Sequence, residues 1–185
     1  MDVMTFLPRV VSLLLCCVGI ASLPASAQVS APTEKSSETR ELDPVIRSLF
    51  GAIETLSDYR AARALPRVFQ WPQLQIEAKV CDAPCNVTGA YLPREGIYLA
   101  ENLDPIREPL DRAALLHELV HYLQHGHPKF ARLTPCERER AQEQEAYAIQ
   151  NAYLAMIGSR QRAIFYDGEF DCDGEKSRED DEAPR

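Results

Sequence analysis

The 185-residue chain has few basic residues relative to acidic ones. Lysine and arginine number 20 against 28 aspartates and glutamates, which gives a formal net charge of −8 at pH 7. Nucleic-acid binding usually requires a basic face, so this balance argues against a nucleic-acid partner. The apolar fraction of 45% is that of an ordinary globular protein and excludes wholesale disorder or a fibrous repeat. A chain of this length most simply forms one domain.

Long apolar runs are missing as well, except near the N-terminus. The run over residues 10–23 is about 14 residues long, shorter than the roughly 20 that a membrane helix needs, and Ala-Ser-Ala follows at 25–27. This order is typical of a secretory signal peptide, so we expect residues 1–27 to be removed. The mature protein is then exported, to the periplasm or medium of a bacterium. No later segment is apolar enough to predict a stable membrane span.

Export changes what the cysteines predict. Two of the six leave with the signal peptide, and Cys81, Cys85, Cys136 and Cys172 remain. An even number in an oxidising compartment predicts two disulfides, for which three pairings are possible. Cys81 and Cys85 flank a short proline-containing segment and can close locally. We therefore favour a Cys81–Cys85 pair, with Cys136 left to join Cys172.

The first half of the mature chain predicts a leader, a helix and a sheet. Residues 28–41 are rich in Ser, Thr, Glu and Pro, which predicts a flexible leader. Asp43 and Pro44 are typical of a helix start, and apolar residues then recur at helical spacing, so we predict a helix over 44–62. Short runs of β-formers follow, and they predict a small, mostly antiparallel sheet with strands at 68–71, 76–81, 87–92 and 96–101.

Two further helices have clear start and stop signals. The first begins near Asp111 and stops at Gly126, and the second opens with a capping box at Thr134 and runs to about residue 157. Residues 167–185 contain nine acidic against three basic residues, which predicts an acidic, largely disordered tail. The folded domain is therefore expected to span residues 42–166.

All four histidines lie within eleven residues, and two of them belong to one motif. His117-Glu118-Leu119-Val120-His121 matches H-E-x-x-H within the first of these helices. Residues i and i+4 share a helix face, so both imidazoles can bind one Zn²⁺, with Glu118 beside the open position of the metal. The alternative to a zinc site is a chance match to the motif, or two histidines on a solvated helix surface. The mid-helix position and the apolar residues in phase favour a zinc site.

A catalytic zinc site needs a third protein ligand. We favour Glu143 in the next helix, because Ala at i+3 from it lets another helix approach closely. Glu139 and Glu145 are alternatives, and so is His127, six residues after His121.

Two polar residues after the motif are given no place in the metal site. His125 lies one further turn along the helix from His121, too far to join a tetrahedral site, so we expect it at the surface or outside the ligand set. Gln124 stands where metzincins have a glycine, and we expect it to contact the neighbouring helix or a rim.

The sequence HELVHYLQ, followed by a helix with E-x-x-A-Y, resembles the gluzincin metallopeptidases. It is most similar to their smallest members and to a bacterial family of exported HExxH proteins, over roughly residues 67–157. The resemblance implies an α+β, zincin-like single domain, in which a small sheet packs on the HExxH helix and a long following helix. It also implies a Zn²⁺ cofactor held by His117, His121 and Glu143, with Glu118 as general base, and hydrolysis of peptide or protein substrates.

The resemblance carries three further expectations. Gluzincins place an edge strand above the zinc to hold an extended substrate, and residues 96–101 are the candidate by position. An oxyanion-stabilising group is implied, for which the candidates are Tyr122, Tyr147, Tyr153 and Tyr166. Thermolysin-like enzymes have an aspartate four residues after the ligand glutamate; Tyr147 stands there in this chain, so support for a zinc histidine must come from elsewhere.

A non-catalytic role is the alternative function. A zinc-stabilised exported scaffold or binding module would keep the same ligands, but a closed structural site does not need a general base at Glu118. A toxin-like or self-processing peptidase with one narrow target is a third possibility. We predict no particular oligomeric state.

Overall fold

The computed structural model describes residues 36–62, 64–81, 85–167, 170 and 172. In chain order its elements are α1 (Ser36–Leu56), β1 (Val68–Trp71), α2 (Gln73–Val80), β2 (Gly89–Leu92), β3 (Gly96–Ala100), α3 (Pro109–Gln124) and α4 (Pro135–Met156), with a 3-10 turn at Pro128–Phe130. The predicted α+β class is confirmed. The predicted signal peptide, leader residues 28–35 and most of the predicted acidic tail lie outside the described residues.

The first helix extends beyond its predicted start. It begins at Ser36 and contains Pro44 in its interior, so it includes the last part of the predicted leader. Leu42 is buried in the same core as Ile46 and Leu49. Packing on the N-terminal side of the proline therefore stabilises helical turns that local signals alone did not predict. The helix ends at Leu56, before the predicted end at 62.

The sheet has the order β1-β3-β2 and is mixed rather than mostly antiparallel. β2 pairs antiparallel with β3 through the turn at residues 93–95, whereas β1 pairs parallel with β3. Parallel neighbours need a crossover connection, usually helical. The predicted strand at 76–81 is wrong for this reason: most of it belongs to α2, which lies in that crossover and buries Ile76 against Tyr98 of β3.

The main core lies between the helices and one face of the sheet. α3 supplies four fully buried apolar side chains to it, and α1 and α4 pack on α3. Those four side chains are Leu115, Leu116, Leu119 and Val120. α3 is thus apolar on most of its circumference, so its polar residues are confined to the side that faces β2 and α4. No helix in the described part of the chain is long and apolar enough to cross a membrane.

Both disulfides have the predicted pairing. Cys81 joins Cys85 after α2, and Cys136 joins Cys172. Cys136 lies in the first turn of α4, which starts with the predicted capping box at Thr134. The second disulfide therefore attaches the C-terminal segment to the beginning of α4.

Candidate metal centre

The middle of α3 places three polar side chains of the motif in a nearly buried position. His117 is 9% exposed and Glu118 is 7% exposed. The flanking apolar residues of α3 hold the helix against the core, so its polar edge faces α4 on one side and β2 on the other. Because α3 and α4 run antiparallel, Glu143 comes opposite the two histidines.

His117, His121 and Glu143 converge on one point and could hold a metal ion. The two imidazole Nε2 atoms lie 3.0 Å apart, and the Glu143 carboxylate oxygens lie 3.3 Å from Nε2 of His117 and 3.0 Å from Nε2 of His121. Donors at 2.0–2.1 Å from a tetrahedral zinc ion are separated by about 3.3 Å. The three donor atoms therefore already have the spacing of such a site.

The outer nitrogens of both histidines are held by glutamines. Nδ1 of His117 lies 3.1 Å from Oε1 of Gln150, and Nδ1 of His121 lies 2.8 Å from Oε1 of Gln124. A carbonyl oxygen only accepts, so each Nδ1 carries the hydrogen. In its neutral form, each imidazole then presents the lone pair of Nε2 to the centre, which is the form that binds a metal.

The orientation of Gln124 follows from its own partners. Its Nε2 donates to the carbonyl oxygen of Gln142 and to the carboxylate of Glu145, both at 3.0 Å. Burial opposes ionisation of Glu145, but hydrogen bonds from Lys129, Tyr59 and Gln124 outweigh burial and lower its pKa. Since both partners of Nε2 are acceptors, Oε1 must face His121. Gln124 thus fixes the tautomer of His121 through a contact with α4.

The donor set attracts positive charge. Burial raises the pKa of Glu143, but hydrogen bonds with the two imidazoles outweigh burial and hold that pKa well below its usual range. Burial lowers the pKa of His121, yet Glu143 and Glu118 outweigh burial and raise it to about 9. Two lone pairs and a carboxylate within about 3 Å repel one another unless a proton or a cation lies among them. The chemistry of the residues therefore fits a divalent metal.

Glu118 lies beside this donor set and contacts β2. Burial raises the pKa of its carboxyl group, while the charges of the two imidazoles and a hydrogen bond from the backbone N–H of Tyr91 oppose that rise. A Cβ atom on Gly89 would come within 3.1 Å of Oε1 of Glu118 and of the Leu99 side chain. Glycine at this position therefore leaves the space in which the Glu118 carboxylate lies.

A cavity of about 710 Å³ opens over the site. α3 contributes Ala114 and all three residues of the motif, β2 contributes its full length, and α4 contributes Glu143 with several neighbours. β2 and α4 both pack on α3, so α3 forms the floor and the other two elements form walls. The volume is in the range typical of small-molecule and peptide sites.

The alternative ligands lie elsewhere. Glu145 points away from the histidines and accepts hydrogen bonds from Tyr59, Gln124 and Lys129. His127 packs against the rings of Tyr59 and Phe130. Glu139 lines the cavity but does not belong to the converging group.

His125 and one of the tyrosine candidates line the cavity without belonging to the donor set. His125 lines the cavity with its ring against Tyr91 and lies outside the donor set. Among the four tyrosine candidates, Tyr147 alone lines the cavity, with its ring 4.6 Å from that of His117.

The strand beside the site differs from the expected one. β3, the main part of residues 96–101, is the central strand, and β2 is the edge strand that lines the cavity. The sequence analysis did not predict the hydrogen bond of Gln150 to His117 or the position of Gly89 beside Glu118. Gln124 was expected to contact the neighbouring helix and does, but its bond to His121 was missed, although i+3 spacing on one helix face was a usable signal.

No family model, no curated protein and no solved structure matches the chain.

Proposed function

We propose that the protein is an exported zinc-dependent peptidase of the gluzincin type, with a zincin-like fold. One observation carries the proposal: the buried carboxylate of Glu118 lies on α3 between His117 and His121, beside the donor set that Glu143 of α4 completes, and it lines the same cavity. A structural metal site is closed and needs no such base.

Zinc is the favoured metal because of the donor chemistry. Two neutral imidazoles and one carboxylate, with a fourth position left for water or substrate, is the usual donor set of catalytic zinc in peptidases. His117, His121 and Glu143 would hold the ion. Once bound, zinc supplies Lewis acidity to the attacking water and to the scissile carbonyl.

Glu118 is the proton carrier in this proposal. Its carboxylate accepts a proton from the attacking water and then delivers that proton to the leaving amine. Burial raises its pKa, so the carboxyl group can hold a proton between the two transfers. The Tyr91 N–H and the space at Gly89 keep the carboxylate in one place on the cavity wall.

β2 offers a backbone edge for an extended substrate. Among the described strands its only partner is β3. The carbonyl oxygen of Thr88 accepts from the N–H of Ala100, so the backbone N–H and C=O of residue 88 point toward β3. By strand alternation, the backbone groups of Gly89 and Tyr91 point away from β3. Glu118 lies on that outward side, where it accepts from the N–H of Tyr91. A peptide paired with this edge would run past the donor set.

The two disulfides support the export part of the proposal. Disulfides persist in oxidising compartments such as the bacterial periplasm. They are compatible with the predicted signal peptide over residues 1–27, and the protein is proposed to act after its removal.

The test compares two glutamine variants. Glu118→Gln should retain zinc and lower cleavage of a peptide library by about 10²- to 10⁴-fold, since proton transfer is lost. Glu108→Gln removes the same charge from an exposed position at the start of the same helix and should cleave as the wild type does. His117→Ala should lose zinc by elemental analysis.

The same data decide between an enzyme and a zinc-stabilised scaffold. A scaffold would bind zinc, lose stability when His117 is replaced, and show no cleavage that depends on Glu118. Equal cleavage by the wild type and Glu118→Gln would contradict the mechanism, and equal zinc content in the wild type and His117→Ala would contradict the site.

A further inference from the structure

Residues 159–167, the C-terminal strap, run back along α4 beside the cavity. Three contacts mark their path: Asn151 binds Ala163, Tyr147 contacts Phe165, and Arg140 pairs with Asp167. Beyond the strap, Cys172 is joined to Cys136. The α4 positions fall steadily as the strap positions rise, so the strap is antiparallel to the helix.

Next to the cavity, the strap is held by the side chain of Asn151. The side chain of Asn151 accepts from the N–H of Ala163 at 2.8 Å and donates to its carbonyl oxygen at 2.9 Å. Both backbone groups of residue 163 are thereby satisfied by one side chain. Ala163 and the next residue, Ile164, line the cavity together with Tyr147 and Gln150 of α4. The strap therefore extends the α4 wall.

Ile164 has an unusual environment. Its side chain is 62% exposed, and among the exposed large apolar side chains of the described residues it is the one that lines the cavity. Further, none of the described residues that line the cavity is Lys or Arg, whereas Glu118, Glu139 and Glu143 are acidic. This wall can accept an apolar side chain but has no Lys or Arg to form an ion pair with an acidic one.

We infer that the strap is the specificity-determining wall of the substrate cleft and that Ile164 contacts an apolar side chain of the bound peptide. The inference rests on the proposed peptidase function. A peptide paired with the β2 edge would lie across the α3 floor from α4, with the side chains on that side directed toward the strap, since β2 and the strap line the same cavity. The strap thereby supplies the wall that a second lobe supplies in a larger enzyme.

Peptide hydroxamates test the strap separately from turnover, because they bind the metal without being cleaved. The probes share one backbone and carry Leu, Ala or Glu as the varied side chain, and acetohydroxamate reports the metal site alone. Ile164→Lys should weaken the Leu probe about 5-fold relative to the Glu probe, a modest value because an enclosed methylene group is worth about 10-fold or more and this wall is half open. Affinity for acetohydroxamate should not change.

Ile157→Lys is the matched control. Ile157 is 40% exposed at the end of α4 and is not among the residues that line the cavity. It should show the wild-type order of affinities. Asn151→Ala, which releases Ala163, should reproduce the lost preference for Leu, and it should add little in a chain that already carries Ile164→Lys.

The outcomes separate the two proposals. If acetohydroxamate binds the wild type but not His117→Ala, while Ile164→Lys and Ile157→Lys have the same side-chain preference, the strap inference is overturned and the metal site stands. If no hydroxamate binds the zinc-loaded wild type, the metal site is not accessible to substrate and both proposals are overturned.

Discussion

The strongest prediction concerns Gln124, whose amide joins the metal site to α4. The side chain is 1% exposed and makes three hydrogen bonds, to His121, Gln142 and Glu145. Gln124→Glu keeps an acceptor for Nδ1 of His121, yet it turns a second oxygen toward Glu145 and the Gln142 carbonyl, neither of which can donate. The structure therefore predicts that Gln124→Glu destabilises the protein, although a carboxylate is a stronger acceptor for imidazole than an amide is.

The magnitude follows from these contacts. Each buried polar group left without a partner costs about 1–3 kcal/mol, and replacement of a residue that orients a ligand histidine typically costs 10- to 100-fold in metal affinity. We expect Gln124→Glu to lower the free energy of unfolding by about 2–4 kcal/mol. Gln124→Leu should lower zinc affinity about 10-fold or more, because Nδ1 of His121 loses its acceptor.

Rescue by a second substitution makes the prediction specific. Glu145→Gln supplies an amide that can donate to the new carboxylate. The double variant Gln124→Glu/Glu145→Gln should therefore lose about 1–3 kcal/mol less free energy of unfolding than the two single variants lose in sum. The assays are chemical denaturation and competition for zinc with a chromogenic chelator. Gln142→Leu is the control for zinc affinity, because the hydrogen bond from Gln124 goes to the backbone of residue 142. Wild-type affinity in Gln124→Leu, or strictly additive stability in the double variant, would refute the reasoning.

Three other predictions follow from the described contacts. Gly89→Ala should lower kcat about 10-fold or more with zinc content unchanged, because the added Cβ would displace the carboxylate of Glu118. Gly51→Ala is the control: a Cβ there would have nothing within 4 Å, and the substitution should stabilise α1 by about 0.5–1 kcal/mol. Similar kinetics in both variants would contradict the prediction for Gly89. Replacing both Cys136 and Cys172 with Ser should lower the free energy of unfolding by about 2–4 kcal/mol, measured by denaturation, since the disulfide closes a loop of 36 residues; an unchanged midpoint would show that this disulfide adds no stability. Chelation should lower Tm, because His117, His121 and Glu143 are then held together without a cation, and added zinc should restore it; a Tm that ignores chelator would contradict a metal bound in the folded state.

Sequence patterns were most reliable where the determining interactions are local. The capping box at Thr134 and the apolar phase around the HExxH motif define α4 and α3, because caps and i/i+4 neighbours lie within a few residues. Disulfide pairing was predictable for a related reason: one pair spans four residues, and the other two cysteines were then left to each other.

Sequence patterns failed where distant packing decides the outcome. A short apolar run such as 76–81 is compatible with a strand or a buried helix turn. It became α2 because only Ile76 is buried, against Tyr98 of a distant strand, within a crossover that the parallel pairing of β1 requires. The proline start expected at residue 44 was overridden in the same way, by burial of Leu42 in the core.

The sequence by itself determined which residues could bind a metal, because the spacing of His117 and His121 on one helix places both imidazoles on the same face. It left the third ligand open among Glu139, Glu143, Glu145 and His127. Only the tertiary structure brought Glu143 to the two histidines, since the antiparallel packing of α3 on α4 decides which face of α4 meets the site. The same packing turned Glu145 toward Gln124, and the strand order β1-β3-β2 made β2 the edge strand beside Glu118; neither contact is encoded in any short stretch of the chain.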